Sequence, residues 1–175
     1  MVSARPHTAL EYAGVEVGTP GGQVTMLFDA DTTVLVGVMW PGRRGIGKLA
    51  TTQVVAGNRD QILAANTWAE RYWAGQHVVW ERTRLKGTTF QQQVWSKLAT
   101  IPYGAFCTYS DLAHELGCPQ SVRAVANAVA SNPAPVVIPC HRVGRTDLQP
   151  GSFSGGLTTK LTLLAYEAEQ TRQPD

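Results

Sequence analysis

Cysteine is scarce in this chain of 175 residues. Cys107, Cys118 and Cys140 are too few and too odd in number for a disulfide framework, and no Cys/His pair has the spacing of a structural zinc site. That usage points to a reducing, cytoplasmic compartment. Long hydrophobic runs are also missing. The longest, Val34 to Trp40, is far too short to span a bilayer, and Met1 to Thr8 lacks the apolar core of a signal peptide. Charge of one sign is equally absent: the formal net charge is +2, and from Thr88 onward six basic side chains face six acidic ones, so the excess lies in the first half. Net charge alone therefore does not point to a polyanionic partner.

What remains is an ordinary globular composition, 43% hydrophobic, long enough for one good-sized core or two small ones. Glu11 to Val17, Gln23 to Asp29 and Thr33 to Met39 are β-rich runs separated by Thr19-Pro20-Gly21-Gly22 and Ala30-Asp31, which predicts an antiparallel meander. A stretch from Pro41 to Asn58 follows, containing the basic pair Arg43-Arg44, a solvated turn or a contact loop. It leads into an expected helix from Asp60 to Ala74, where Ile62, Leu63, Asn66, Ala69 and Tyr72 or Trp73 recur at helical spacing before Gly75. The polar segment His77 to Gly87 marks a change in character. The expectation is a small α/β N-terminal domain over 1–82 and a mainly α domain over 83–175.

In the second domain, Thr88 and Thr89 are each followed three residues later by glutamine, a capping-box spacing. Phe90, Val94, Leu98 and Ile101 then trace an apolar helical face up to Pro102-Tyr103-Gly104. Ser110 is placed to cap a short helix through Leu116. Gly117-Cys118-Pro119 makes a turn, and a second helix runs from about Gln120 to Ala130. Two short helices joined by a tight turn fit a helix-turn-helix, and they fit an ordinary αα-hairpin as well. The second helix is nearly bare, with Ala124, Ala126, Ala128 and Ala130 around a lone Arg123. Such a surface admits a packed helix or a nucleic-acid groove.

After the rigid connector Ser131-Asn132-Pro133-Ala134-Pro135 comes an apolar run, Val136-Val137-Ile138, read as a short strand ending in Pro139-Cys140-His141-Arg142-Val143. A free thiol titrates near pH 8.5 and needs a base or a positive neighbour to act as a nucleophile. His141 is the obvious source. Adjacent residues on a strand point apart, so the two either meet across a turn or communicate through a water; both readings stand at this level. A histidine base also needs a partner to fix its tautomer, and Glu167, in a predicted helix from Leu157 to Glu169, is the candidate.

These residues carry a specific resemblance. Thr89-Phe90, Val94-Trp95, Ile101-Pro102-Tyr103-Gly104, Thr108-Tyr109-Ser110, Arg123-Ala124-Val125, Ser131-Asn132-Pro133, Ile138-Pro139-Cys140-His141-Arg142-Val143, Ser154-Gly155-Gly156-Leu157 and Leu163-Leu164-Ala165-Tyr166-Glu167 together resemble the O6-alkylguanine-DNA alkyltransferases. About half the chain is covered closely. The first half is more loosely similar to the family's variable, ribonuclease-H-like N-terminal domain. The second half resembles its helix-turn-helix, winged-helix-like domain. Some members hold zinc in the first half, but here that half has no cysteine, so no metal and no cofactor is expected.

The resemblance implies direct-reversal DNA repair. One alkyl group moves irreversibly from O6 of guanine, with O4-alkylthymine a further lesion, onto Cys140. It implies that His141 takes the thiol proton through a water, that Glu167 orients His141, and that Asn132 buttresses the turn between recognition helix and site. Tyr109, Val143, Ser154, Phe153 and Pro135 would surround the flipped base, with the carbonyls of Cys140 and Val143 receiving its amino group and the Ser154 amide reaching O6. Arg123, Tyr109, Ser110, Ala124 and Thr146 would meet the DNA through its minor groove, with Arg123 filling the space the base leaves. Double-stranded DNA is the implied partner of a monomer, cooperative or not, in the cytoplasm, and on the nucleoid if the source is bacterial. Two departures stand out. Phe153 replaces a tyrosine common in relatives, and Ala126, Asn127 and Ala130 stand where some relatives carry glycine and arginine. Three rival readings are a non-catalytic lesion sensor of the same fold, a cysteine hydrolase and a plain helix-turn-helix regulator. The sensor lacks an acceptor cysteine, the hydrolase turns over, and the regulator leaves Cys140, His141 and Glu167 without a purpose.

Overall fold

The computed structural model describes residues 12–41, 54–146, 151 and 153–172. Glu11, the Arg43-Arg44 pair and the Met1 to Thr8 segment lie outside the described residues. Strands β1 (Tyr12–Thr19), β2 (Gly22–Asp29) and β3 (Leu35–Met39) form the expected antiparallel meander. The turn between β1 and β2 closes at Gly22, whose φ of 115° suits glycine. The sheet is nevertheless mixed. A short strand β4 (Val54–Ala56) pairs in parallel with β1, giving the order β3-β2-β1-β4. Three exposed residues after a glycine-rich stretch offer too little pattern to read in sequence.

Helix α1 (Arg59–Trp73) starts on a capping box between Asn58 and Gln61, and Gly75 follows it in the left-handed region. Its inward face matches the spacing at Ala69 and Tyr72 but not at its start. Gln61, Ala65, Trp68, Ala69 and Tyr72 are buried, whereas Ile62, Leu63, Asn66 and Trp73 are exposed. The face turns because Gln61 is needed inside: its amide donates to the carbonyls of Asp29 and Thr32, tying the helix start to the β2–β3 turn.

Helix α2 (Thr89–Leu98) begins on the Thr88–Gln91 capping box and buries Val94, Trp95 and Leu98; Phe90 is half-buried. Helix α3 (Tyr109–Glu115) is capped by Thr108 rather than Ser110. The Thr108 hydroxyl accepts from the Asp111 amide, and the Asp111 carboxylate accepts from the Thr108 amide. Three residues after Ser110 stands Ala113, which cannot complete a box, so the cap lies two residues earlier. A 3-10 turn (Pro119–Ser121) leads into α4 (Val122–Ala130), which packs Val125, Ala128 and Val129 inward. The Trp95 indole donates to the Ala128 carbonyl across the α2–α4 contact, at 2.9 Å.

The run Val136-Val137-Ile138 is not a strand. Pro135 and Ile138 bridge each other around a tight turn in which Val136 adopts φ 74°, a conformation that costs a β-branched residue energy. Asn132 holds it there: its side-chain amide donates to the Ile138 carbonyl at 2.8 Å and its Oδ1 accepts from the Ala134 amide at 3.0 Å. Cys140 therefore opens a 3-10 turn (Cys140–Arg142) instead of ending a strand. Strand β6 (Val143–Gly144) then pairs in parallel with β5 (Cys107–Thr108), and α5 (Leu157–Gln170) closes the chain. One apolar cluster runs from the sheet through α1, α2 and α4 to Cys140 and Leu163. Among the described residues no helix is long and apolar enough to cross a membrane.

Candidate active site

The 3-10 turn places Cys140, His141 and Arg142 against α5, all three buried. Glu167 reaches His141 and Arg142 from the C-terminal part of that helix. Its carboxylate accepts from His141 Nε2 at 2.8 Å, from Arg142 Nε and Nη2 at 2.8 Å each, from the Tyr72 hydroxyl at 2.7 Å and from the Gly104 amide at 3.1 Å. Burial alone would favour the neutral acid. The hydrogen bonds and charges of His141 and Arg142 override it and hold Glu167 ionised, well below the usual carboxylate range. Arg142 is fixed further by the Ile101 carbonyl at 2.8 Å and by the face of Tyr103.

An ionised Glu167 accepts from Nε2, so that nitrogen carries the proton and Nδ1 keeps its lone pair. Nδ1 is buried and has no hydrogen-bond partner among the described residues. Burial lowers the pKa of His141, which keeps the ring neutral and basic at Nδ1. Burial also pushes the Cys140 thiol up to about 11, against the opposing pull of the Asn132 side chain and Lys160. Lys160, fully buried on α5, donates to the Val143 carbonyl at 2.6 Å, and desolvation brings its ammonium down to about 8. The thiol and the neutral imidazole thus sit on the Cys140–Arg142 turn, and the buried ammonium, on α5 packed against that turn, pulls the thiol's pKa down electrostatically. That arrangement suits a nucleophile that is protonated at rest and deprotonated only during reaction.

The chain is similar to known proteins. Residues 89–169 match the family model of the 6-O-methylguanine DNA methyltransferase DNA binding domain. A probable methylated-DNA–protein-cysteine methyltransferase of Acanthamoeba polyphaga mimivirus is 33% identical over 159 residues, covering 89% of this chain and 97% of that protein. The chain belongs to the O6-methylguanine-DNA methyltransferase family. The methylated-DNA–protein-cysteine methyltransferase of Haemophilus influenzae is 44% identical over 100 residues, 56% of each chain. The structure of the Mycobacterium tuberculosis O6-methylguanine methyltransferase superposes with a TM-score of 0.76 at 29% identity, covering 94% of both chains. A second structure of the mycobacterial protein, in complex with DNA, gives 0.77 at 28% identity, covering 90% of this chain and 94% of that one.

The other residues singled out from sequence fall in two groups. Tyr109, at the start of α3, is half-buried and coupled electrostatically to Cys140. Phe153 lies edge-on to His141, with ring centroids 6.3 Å apart, while Pro135, in the turn before Cys140, and Val143, at the start of β6, are buried. Ser154 and Thr146 are exposed in the loop segments beyond Val143. On α4, Arg123 and Ala124 share the exposed face with Asn127 and Ala130; Ser110 is half-buried on α3. Sequence reasoning gave no role to Arg142, Tyr72 or Lys160. Lys160 left a signal, since it stands seven residues before Glu167 with Leu163 between, on one face of α5. Tyr72 left none, because its hydroxyl crosses from the other half of the chain.

Proposed function

We propose that this family member repairs O6-alkylguanine in duplex DNA, with Cys140 as the acceptor in a single, irreversible transfer. The observation that carries the reading is the bond between His141 Nε2 and an ionised Glu167, which leaves Nδ1 without a hydrogen-bond partner among the described residues, on the residue next to Cys140 in the chain. His141 takes the thiol proton through Nδ1, by way of a water. The thiolate attacks the alkyl carbon, the bond from that carbon to O6 breaks, and its electron pair stays on guanine, which takes up one proton in place of the alkyl group. Lys160 supplies positive charge beside the developing thiolate. The product is a thioether, a poor leaving group, so the protein stops after one event.

Binding follows the same logic. A lesion inside the stack cannot reach a thiol held in this turn, so the base must leave the helix. The exposed face of α4 enters the minor groove, Arg123 occupies the gap, and Tyr109, Pro135, Phe153, Val143 and Ser154 enclose the base. Ser110, Ala124 and Thr146 lie along the DNA. The Val143 carbonyl has two lone pairs; Lys160 takes one and the guanine amino group takes the other. O4-alkylthymine presents the same electrophilic carbon and belongs to the same substrate class. The protein works as a cytoplasmic monomer on DNA. Cys140→Ala should retain binding to methylated duplex in an anisotropy titration and accept no methyl group; transfer at an unchanged rate would remove Cys140 from the mechanism.

A further inference from the structure

The end of β3 grips both loops that flank Cys140. The Val38 amide donates to the Pro133 carbonyl at 2.8 Å, in the connector that Asn132 shapes. Two residues on, Trp40 is buried against Phe153 in an edge-to-face contact, 5.9 Å between centroids at 72°, and Phe153 in turn meets His141 edge-on at 76°. The approach is close enough to dictate glycine. A β-carbon at Gly155 would stand 2.8 Å from Trp40 Cε2 and 2.9 Å from Phe153 Cε1, and one at Gly21 would stand 3.3 Å from Trp40 Cη2 and 2.7 Å from Thr159 Cγ2. The indole is therefore wedged between the β1–β2 turn and the Phe153–Gly156 turn that opens α5, where the Gly156 amide donates to the Phe153 carbonyl.

From this chain of contacts we infer that Trp40 is a specificity-determining, positioning residue: it holds Phe153 against His141 and so sets how large an alkyl group the site admits. The inference rests on the placement of Phe153 beside the lesion base under Proposed function. Phe153 has no hydroxyl to anchor it, so its position depends on packing, and the ring that packs it comes from the sheet. Trp40 acts on the site through Phe153, which contacts both Trp40 and His141.

Single-turnover rates of the full chain with a duplex carrying O6-methylguanine and with one carrying O6-benzylguanine test this. Trp40→Ala frees Phe153 to move, so the benzyl-to-methyl rate ratio should rise by about two- to tenfold, the range that one edge-to-face aromatic contact is worth. Trp40→Phe, which keeps an aromatic ring but withdraws from Gly155, should shift the ratio in the same direction by less and covers the case in which the alanine variant fails to fold. Leu27→Ala, a core loss in the separate cluster of Tyr12, Leu27 and Val36, should leave the ratio unchanged. Phe153→Ala should raise the ratio too, and adding Trp40→Ala to it should change nothing more, because the second residue acts through the first. Trp40 variants that leave the ratio unchanged, or that add to Phe153→Ala, overturn the inference alone. A Phe153→Ala protein with an unchanged ratio overturns the placement of Phe153 and the inference with it.

Discussion

In the buried site Glu167 and Lys160 are 0% exposed and Arg142 is 3% exposed, three full charges inside the protein. On α4, the helix proposed to enter DNA, Arg123 is the sole ionic side chain among nine residues, and its neighbours on the outer face are Ala124, Asn127 and Ala130. Charge is normally distributed the other way, because an unpaired ion in the interior costs far more than one in water. The difference separates two tasks. Inside, fixed charges hold one imidazole tautomer and await a thiolate, and they do so because every one of them is bonded. Outside, on the proposed DNA face, a smooth helix would let backbone and shape approach the duplex, with one long cation acting at one position.

The sharpest way to break the interior side is Glu167→Ala. It would leave Arg142 buried without its carboxylate and His141 without a tautomer partner, so unfolding free energy should fall by about 3–5 kcal/mol. The transfer rate in whatever remains folded should drop by about 10²–10⁴-fold, the value of a positioned base. Denaturant melts and single-turnover kinetics measure both, and a stable, active variant would dissolve the contrast. On the exterior side, Arg123→Ala should slow repair of duplex O6-methylguanine by about a hundredfold, from the few kcal/mol that extrusion requires. Reaction with free O6-benzylguanine base, which needs no extrusion, should be nearly unaffected; equal losses on both would take Arg123 out of base flipping.

The smallest effect is in salt. Each neutralised phosphate adds about −0.9 to the slope of log affinity against log salt, and so bare a helix should give a slope equivalent to only about two to four contacts. Anisotropy titrations at several salt concentrations read this directly. A slope equivalent to eight or more would mean that basic residues elsewhere, with the Arg43-Arg44 pair first among them, carry the binding.

Much of this arrangement is legible in the amino-acid sequence. The Thr88–Gln91 spacing marks the start of α2, the two turns of the meander mark β1 to β3, and the Cys140-His141 pair with Glu167 marks the site. Each is a local pattern or a family motif. The failures share a cause, which is that a distant partner decides. Gln61 turns inward on α1 to satisfy carbonyls of the β2–β3 turn, so Ile62 and Leu63 face outward against their own hydrophobicity. Val136 to Ile138 reads as a strand by composition, but two hydrogen bonds from Asn132 bend it into a turn. Ser110 loses the cap to Thr108 because Asp111 completes a box two residues earlier. The bonds from Tyr72 to Glu167 and from Val38 to Pro133 join residues 95 apart in both cases, and no window along the chain contains them.

The central claim is one irreversible transfer to one thiol, and intact mass spectrometry after incubation with excess O6-methylguanine duplex, followed by peptide mapping, tests it most directly. The account predicts a plateau at one added methyl per chain, located on Cys140, with repaired DNA released in equal amount. A methyl on Cys107 or Cys118, or repaired DNA accumulating beyond one equivalent of protein, would contradict it.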